Sequence, residues 1–317
     1  MTLYQNILET IGRTPMIPLR KVAQGLPVHF YAKYEAINPG GSIKDRIAVA
    51  MLEHAEKTGA LKPGGTIIEA TAGNTGVGLA LVGAVKGYRC IFVMPDKMSR
   101  EKMDLLRAYG AEVVTTETNV SVDHPRYYVN LADQMARELP GSWRANQFKN
   151  MQNVAAHYHS TGPEIWQDLG GKVDGFVCGV GTGGCLIGVG KFLKEKNPNV
   201  EIILADPVGS TLSDGPAAPY KVEGIGQDYF PATYDQSVVD AGVYVSDQES
   251  FAMARRLTRE EGLMVGGSSG THMVAALKWA EFFQSGSNVV VMMSDTGRNY
   301  LGRMFNDEWM KREGFSL

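Results

Sequence analysis

The sequence predicts an α/β fold of two domains, each built on a mostly parallel, twisted sheet covered by helices in three layers. Short, mostly apolar runs alternate with stretches of helical periodicity along the 317 residues. Such strands are typical of parallel sheets buried on both faces. A polar stretch at residues 143–152 interrupts the alternation. We therefore expect domains over residues 1–148 and 149–317, with residues 13–34 a candidate to cross to the second.

Each element has a local signal. The run at residues 38–46 predicts a turn and then a helix, because Ser42 and Asp45 match a capping box and Lys44 falls in the first turn. Strands follow at 66–70, 90–94 and 112–115, separated by helices at 75–85 and 99–109. The second series has strands at 175–179, 201–205 and 288–293, with a helix at 271–283. In such sheets, ligands sit at the carboxyl ends of strands, so we expect a cleft between the domains.

Composition is that of an ordinary globular protein. The chain is 44% hydrophobic and 21% charged, with a net charge of -3, which gives no case for binding nucleic acid or an anionic membrane. No apolar run approaches the ~20 residues of a membrane span. Cys90, Cys178 and Cys185 lack metal-ligand spacing and cannot all pair. With no secretory leader expected, the cytoplasm is the predicted location.

Lys44 is a candidate nucleophile. The helix macrodipole disfavours an ammonium group in the first turn, and partial burial would lower the pKa of its amine further. A neutral amine can attack a carbonyl carbon and form a Schiff base. On this run alone, a solvated surface lysine fits equally well.

Three loops between a strand and a helix carry further candidates. The loop EATAGNTG at 69–76 places hydroxyl, amide and backbone donors at a helix start, which would suit a carboxylate, although ordinary capping by Thr and Asn is the alternative. The loop GVGTGGC at 179–185 would suit a phosphate. It also matches G-x-G-x-x-G with Asp206 after the next strand, the fingerprint of a dinucleotide site. The loop GGSSG at 266–270 offers a hydroxyl to a ligand, or simply a helix cap.

Five motifs in order resemble one family. NPGGSIKDR, TAGNTG, GVGTGGC, EGIGQD and GGSSG are similar to the cysteine synthase and cystathionine β-synthase group. These are pyridoxal-phosphate enzymes of fold type II, the tryptophan synthase β-like fold, with the cofactor in the interdomain cleft. The similarity runs from residue 7 to Trp309 and covers nearly the whole chain.

The resemblance implies a role for each candidate. Lys44 would hold the cofactor as an internal aldimine and act as the catalytic base. Asn74 would bind the ring hydroxyl, and Ser268 would meet the pyridine nitrogen. The phosphate would be bound by Gly181, Thr182, Gly183, Gly184 and Cys185, and the substrate carboxylate by Thr71, Ala72, Gly73, Thr75 and Gln147. No metal site is expected.

The resemblance also implies a reaction. A serine opposite the ring nitrogen leaves the ring a weaker electron sink than an aspartate would, which favours prompt loss of a β-substituent. We expect β-replacement on O-acetylserine or another activated serine, through an aminoacrylate, with sulfide giving L-cysteine. Condensation of serine with homocysteine to cystathionine is the alternative. More distant alternatives are a non-catalytic cofactor-binding paralogue and an NAD-dependent oxidoreductase. A homodimer is implied.

Some features separate the two branches of the family. The run TGPEIW at 161–166 resembles cysteine synthases, whereas residues 220–228 and 298–309 resemble cystathionine β-synthases. Ala72 stands where serine is common, which puts the leaving group or nucleophile in doubt. Cys185 stands where threonine is common, so a weak thiol donor replaces a hydroxyl. Neither a haem-binding extension nor a regulatory tandem domain is expected.

Overall fold

The computed structural model describes residues 3–71 and 73–317. These residues divide into two compact units. The first contains the described residues of Met1–Ile11 and Asn38–Asn153, and the second contains Gly12–Ile37 and Val154–Leu317.

Strands and helices alternate through most of the described residues, as the sequence predicts. The strands are β1 (Met16–Leu19), β2 (His29–Tyr34), β3 (Thr66–Ala70), β4 (Arg89–Pro95), β5 (Glu112–Thr116), β6 (Ser142–Arg144), β7 (Gly175–Cys178), β8 (Glu201–Pro207), β9 (Ala241–Val245) and β10 (Asn288–Met293). The helices are α1 (Lys44–Lys57), α2 (Asn74–Lys86), α3 (Arg100–Ala108), α4 (Tyr128–Glu138), α5 (Gln152–Ala156), α6 (Gly162–Asp168), α7 (Gly184–Lys196), α8 (Asp247–Glu261), α9 (Gly267–Trp279) and α10 (Asp307–Arg312).

The first unit is built on a four-stranded sheet in the order β5-β4-β3-β6. All of its strand pairs are parallel. Every residue of β3 is buried, which is the pattern of a central strand covered on both faces. Its apolar side chains pack with those of β4 and α4 in one core that includes Ile68, Ile91 and Ala132.

The second unit is built on a six-stranded sheet in the order β1-β2-β10-β7-β8-β9. The β1–β2 pair is antiparallel, and the remaining pairs are parallel. β10 lies between β2 and β7, so that Val291 is in register with both Ala32 and Val177. The core of this unit includes Phe30, Ile203 and the inner faces of α8 and α9.

The predicted α/β fold is confirmed, and strands 66–70 and 288–293 occupy the predicted residues. The prediction of a capping box at the start of α1 is wrong. Ile43, the N-cap of α1, already has helical dihedrals (φ -58°, ψ -21°), so Ser42 lies one residue before the cap. Its Oγ accepts a hydrogen bond from Lys44 N at 3.1 Å, and Asp45 Oδ2 accepts one from Gly40 N at 2.6 Å.

The helix predicted at 271–283 begins earlier than expected. α9 starts at Gly267 and ends at Trp279, and a 3₁₀ turn follows at Ala280–Phe282. Gly266 of GGSSG is therefore the N-cap, and the other four residues lie in the first helical turn and not in a loop before it. Tertiary packing outweighs the low helix propensity of glycine here.

Cys90 and Cys178 are core residues, with 5% and 2% of their surface exposed. Burial raises the pKa of the Cys90 thiol to about 12, so this cysteine is an inert packing residue. In the described part of the chain, no helix is both long and apolar enough to cross a membrane. Residues 3–71 and 73–317 also contain no cluster of three or more His, Cys, Asp or Glu side chains suited to a metal ion.

Candidate active site

In the first unit, a hydrogen-bonded turn comes directly before the helix that carries Lys44. Gly41 N donates to Asn38 O at 2.7 Å, and Gly41 has a φ of 81°, which favours glycine. A Cβ at Gly40 would lie 2.4 Å from Asp45 Oδ1, so the turn packs tightly against the first residues of α1. The lysine is therefore placed by a rigid connection, at the first residue of α1.

The start of α1 packs closely on α2. A Cβ at Gly78 would lie 3.1 Å from Lys44 O, 3.1 Å from Ala48 Cβ and 3.3 Å from Asp45 Cα. The missing side chain lets the two helices approach at this point. As a result, the structure brings the first turn of α1 next to the N-terminal half of α2, which carries Asn74 and Thr75.

The N-terminus of α2 has the features of an anion site. Its N-cap is Gly73, and no side chain caps the helix, so the capping alternative for this loop is not what the structure shows. A Cβ at Gly73 would meet no described residue within 4 Å apart from its chain neighbours, which leaves room for a ligand. Thr71 Oγ1 accepts a hydrogen bond from Gly73 N at 3.3 Å and shapes the loop. Ala72 lies outside the described residues.

Gln147 joins this loop from a distant part of the sequence. Thr75 Oγ1 donates a buried 2.5 Å hydrogen bond to Gln147 Oε1. The oxygen and nitrogen of a primary amide point along different branches of one plane, so the bond directs the Nε2 donor of Gln147 away from Thr75. Asn153 Nδ2 holds the backbone by donating to Gln147 O at 2.9 Å. An amide donor is thus held in place near the first turn of α2.

Glu69 supports the loop from inside the core. Its carboxylate accepts hydrogen bonds from the backbone N–H groups of Ala70 and Asn146, and Arg144 Nη2 lies 3.8 Å from Oε1. Burial raises the pKa of Glu69 to about 6, against the opposing effect of Arg144. Sequence reasoning gave Glu69 no role, although an acidic residue in the buried run TIIEA is a detectable signal. It holds residue 146, and therefore the position of Gln147.

In the second unit, the loop at 181–185 leads directly into α7. The N-cap of α7 is Gly183 in the left-handed region (φ 84°), and no side chain caps the helix. Gly181 has no room for a side chain, since a Cβ there would lie 2.1 Å from Gly224 O. A helix N-terminus without a side-chain cap attracts an anion through its backbone donors and its dipole. We call residues 181–185 the phosphate loop.

Ser268 lies in the first turn of α9, with 5% of its surface exposed. The adjacent hydroxyl, Ser269 Oγ, accepts a hydrogen bond from Ser294 N at 3.0 Å and so fastens the helix start to the end of β10. Gly266, the N-cap of α9, provides no side-chain cap. The helix starts of α2, α7 and α9 therefore share a glycine cap, whereas α8 has a complete capping box of Ser246 and Glu249.

Asp206 does not act as the acid of a dinucleotide site. Its side chain is fully buried, and Oδ2 accepts a hydrogen bond from Ser213 N at 3.1 Å. A carboxylate enclosed by its own loop is not presented to a ribose hydroxyl. The glycine pattern at 179–184 therefore fits a smaller phosphate ligand better than a dinucleotide.

A family model described as pyridoxal-phosphate dependent enzyme matches residues 7–295. The chain belongs to this family. It is 48% identical to cystathionine beta-synthase of Mus musculus over 318 residues, covering 98% of this chain and 57% of that protein. The chain thus spans just over half the length of that relative. It is 43% identical to cysteine synthase of Staphylococcus aureus (strain Mu50) over 298 residues, covering 93% of this chain and 95% of the relative.

A solved structure gives the same picture for the fold. The O-acetylserine dependent cystathionine beta-synthase from Helicobacter pylori superposes with a TM-score of 0.89 at 38% identity, covering 96% of this chain and 99% of the other. The resemblance stated from the five motifs is therefore confirmed at the level of the family.

The residues present fit the family's cofactor, pyridoxal phosphate. Its phosphate needs N–H donors and a positive helix end, which the phosphate loop provides where α7 starts without a side-chain cap. Its aldehyde needs an amine, and Lys44, the first residue of α1, is the predicted one. The assignment of every site residue remains a prediction, for Lys44 as for Asn74, Cys185 and Ser268.

Proposed function

We propose that the chain catalyses pyridoxal-phosphate-dependent β-replacement on O-acetylserine or another activated serine, with sulfide giving L-cysteine. Two contacts support this best. The first turn of α1, which carries Lys44, packs against α2. The N-terminus of α2 has no side-chain cap, and its Thr75 contacts Gln147. An amine next to a carboxylate site is what a reaction at the α- and β-carbons of an amino acid requires.

Each group then has a defined task. Bound pyridoxal phosphate supplies the electron-withdrawing ring that makes the α-hydrogen of the substrate acidic. Thr71, Gly73 and Thr75 shape the loop that receives the substrate carboxylate, and Gln147 Nε2 donates to it. Lys44 Nζ takes the α-proton, the β-substituent leaves, and sulfide adds at the β-carbon while the proton returns to the α-carbon.

Lys44 is tested by reductive trapping. After borohydride treatment and proteolysis, mass spectrometry should find the cofactor on the peptide containing residues 38–46. Lys44→Ala should lose this adduct and the activity, whereas Lys57→Ala, at the exposed last residue of the same helix, should keep both. An adduct on another peptide in the wild-type protein would refute the assignment.

Cystathionine synthesis is the second candidate. It is supported by the 48% identity to the mouse cystathionine beta-synthase and by the Helicobacter pylori structure. A competition between sulfide and homocysteine, with O-acetylserine and then serine as the first substrate, separates the two. We expect L-cysteine as the main product with O-acetylserine; cystathionine as the main product in every mixture would favour the second candidate.

We further infer a homodimer in the cytoplasm. The family resemblance supports the dimer, and three cysteines that form no disulfide with one another fit a reducing compartment. Light scattering after size exclusion should give twice the 34.5 kDa chain mass. Fractionation of the source cells should place the protein with cytoplasmic enzymes.

A further inference from the structure

A second segment of the same unit runs along the phosphate loop, and we call residues 224–234 the strap. It donates hydrogen bonds to three consecutive carbonyl groups of the 179–185 region. Gly226 N donates to Val180 O at 2.8 Å, and Gln227 Nε2 donates to Gly181 O at 2.8 Å. Thr233 Oγ1 donates to Thr182 O. Two of these three donors are side chains, so they depend on the residue type.

These contacts have a consequence for the backbone donors. In a trans peptide, the C=O of one residue and the N–H of the next point in opposite directions. Holding the carbonyls of Val180, Gly181 and Thr182 toward the strap therefore turns the N–H groups of residues 181, 182 and 183 toward the opposite side. Consecutive N–H groups on one side form a concave anion site. The strap thus determines which way the donors of the phosphate loop face.

The two side-chain donors are themselves fixed. Gln227 N donates to Ser210 Oγ at 3.1 Å, and Gln227 O accepts from Thr211 N at 2.9 Å, so the backbone of Gln227 cannot drift. Thr233 has 1% of its surface exposed. Both ends of the strap also touch glycines of the loop, with Gly224 O at 2.1 Å from a Cβ built on Gly181. Contacts within the chain therefore fix both donors against the loop.

We propose that Gln227 and Thr233 are positioning residues that set the affinity of the phosphate loop for the cofactor phosphate. The proposal rests on the proposed function, in which this loop holds that phosphate. When one of the two donors is removed, the carbonyl that it contacts loses that hydrogen bond. The adjacent peptide is then freer to rotate, and its N–H spends less time directed at the anion.

The test compares pyridoxal phosphate with pyridoxal, which lacks the phosphate group. Both ligands carry the aldehyde and the ring. The dissociation constant of pyridoxal divided by that of pyridoxal phosphate therefore isolates the contribution of the phosphate. The 317-residue chain is stripped of cofactor, and binding is followed by visible absorption. Gln227→Met and Thr233→Val each remove one donor with little change in shape, and Thr233→Ser keeps the hydroxyl. Thr258→Val is the matched control, because Thr258 Oγ1 donates to Ala254 O within α8 of the same unit.

We expect Gln227→Met and Thr233→Val each to lower the ratio about tenfold, with pyridoxal binding unchanged. Thr233→Ser and Thr258→Val should keep the wild-type ratio. The proposal is overturned if the wild-type protein discriminates between the two ligands and both donor variants discriminate equally well. It is also overturned if the variants weaken both ligands to the same extent, as general misfolding would. A wild-type protein that binds both ligands equally would overturn the phosphate assignment itself.

Discussion

Thr75 Oγ1 and Gln147 Oε1, on residues 72 positions apart, form a buried 2.5 Å hydrogen bond that orients the amide of Gln147. Both side chains are nearly inaccessible, with 2% and 7% of their surface exposed. A single proton on Thr75 therefore holds the oxygen end of the amide toward Thr75 and leaves the Nε2 end to donate elsewhere. The bond joins two residues that sequence reasoning assigned to the same carboxylate.

Thr75→Val removes that proton while keeping the shape of the side chain. We expect KM for the amino acid substrate to rise about tenfold, because Gln147 Nε2 is no longer held toward the carboxylate. Visible absorption of the bound cofactor should stay as in the wild type. Thr75→Ser, which keeps the hydroxyl, is the control and should stay close to the wild-type KM. An unchanged KM in Thr75→Val would show that this bond does not orient the substrate site.

The sequence was sufficient for the elements of the site, because each motif is local. The run TIIEA predicted β3 at the residues observed, and the glycine-rich run predicted the start of α7. Sequence reasoning did not assign the β1–β2 hairpin, because β2 pairs with β10, more than 250 positions away. Long-range pairing of this kind leaves no local periodicity.

The supporting residues of the site were also beyond sequence reasoning. EGIGQD was noticed as a motif, but a role for Gln227 depends on the carbonyl of Gly181, which lies 46 positions away. Glu69 was included in a loop without a role, since its function depends on Asn146. Residues predicted to contact ligands lie in family motifs, whereas the residues that support them are identified by tertiary contacts.

Glu69 should give the stability of the protein a pH-dependent component. Its pKa in the folded state is about 6, above its ordinary value of 4.5, so folding favours the protonated carboxyl. This contribution is fully present below pH 4.5 and is lost as the pH rises through 6. From the shift we expect a loss of about 2 kcal/mol.

Glu69→Gln keeps a neutral side chain at every pH and isolates this contribution. The free energy of unfolding, measured by urea denaturation, should fall for the wild type relative to Glu69→Gln by about 2 kcal/mol between pH 4 and pH 7. Two curves that run parallel over this range would contradict the raised pKa.

Gly270 marks the closest approach of α8 and α9. A Cβ at this position would lie 1.9 Å from Ser250 O and 2.9 Å from Ala254 N, both backbone atoms. Gly270→Ala must therefore push the helices apart, and we expect a loss of about 3 kcal/mol in the free energy of unfolding. At Gly302, a Cβ would meet no described residue within 4 Å, so Gly302→Ala should stay within about 0.5 kcal/mol. Equal melting temperatures for the two variants would refute this packing.

Lys33 is a buried cation held by three acceptors of the second unit. Nζ donates to Thr14 O at 2.6 Å, and it lies 2.9 Å from Glu164 Oε2 and 3.3 Å from Asp168 Oδ2. Its side chain has no exposed surface, whereas those of Glu164 and Asp168 are 19% and 38% exposed. A charge desolvated to this degree is stable only because its partners compensate it.

Lys33→Met should therefore cost about 3 kcal/mol in the free energy of unfolding, because it leaves two carboxylates without their buried partner. The matched control is the exposed pair Arg256–Glu260 on α8, whose members are 47% and 34% exposed. Arg256→Met should cost less than about 1 kcal/mol, since water already screens that pair. Adding Glu164→Gln to Lys33→Met should recover part of the loss, because it removes one of the uncompensated charges. If Lys33→Met is no more destabilising than Arg256→Met, the buried network does not hold α6 to the β1–β2 hairpin as its geometry requires.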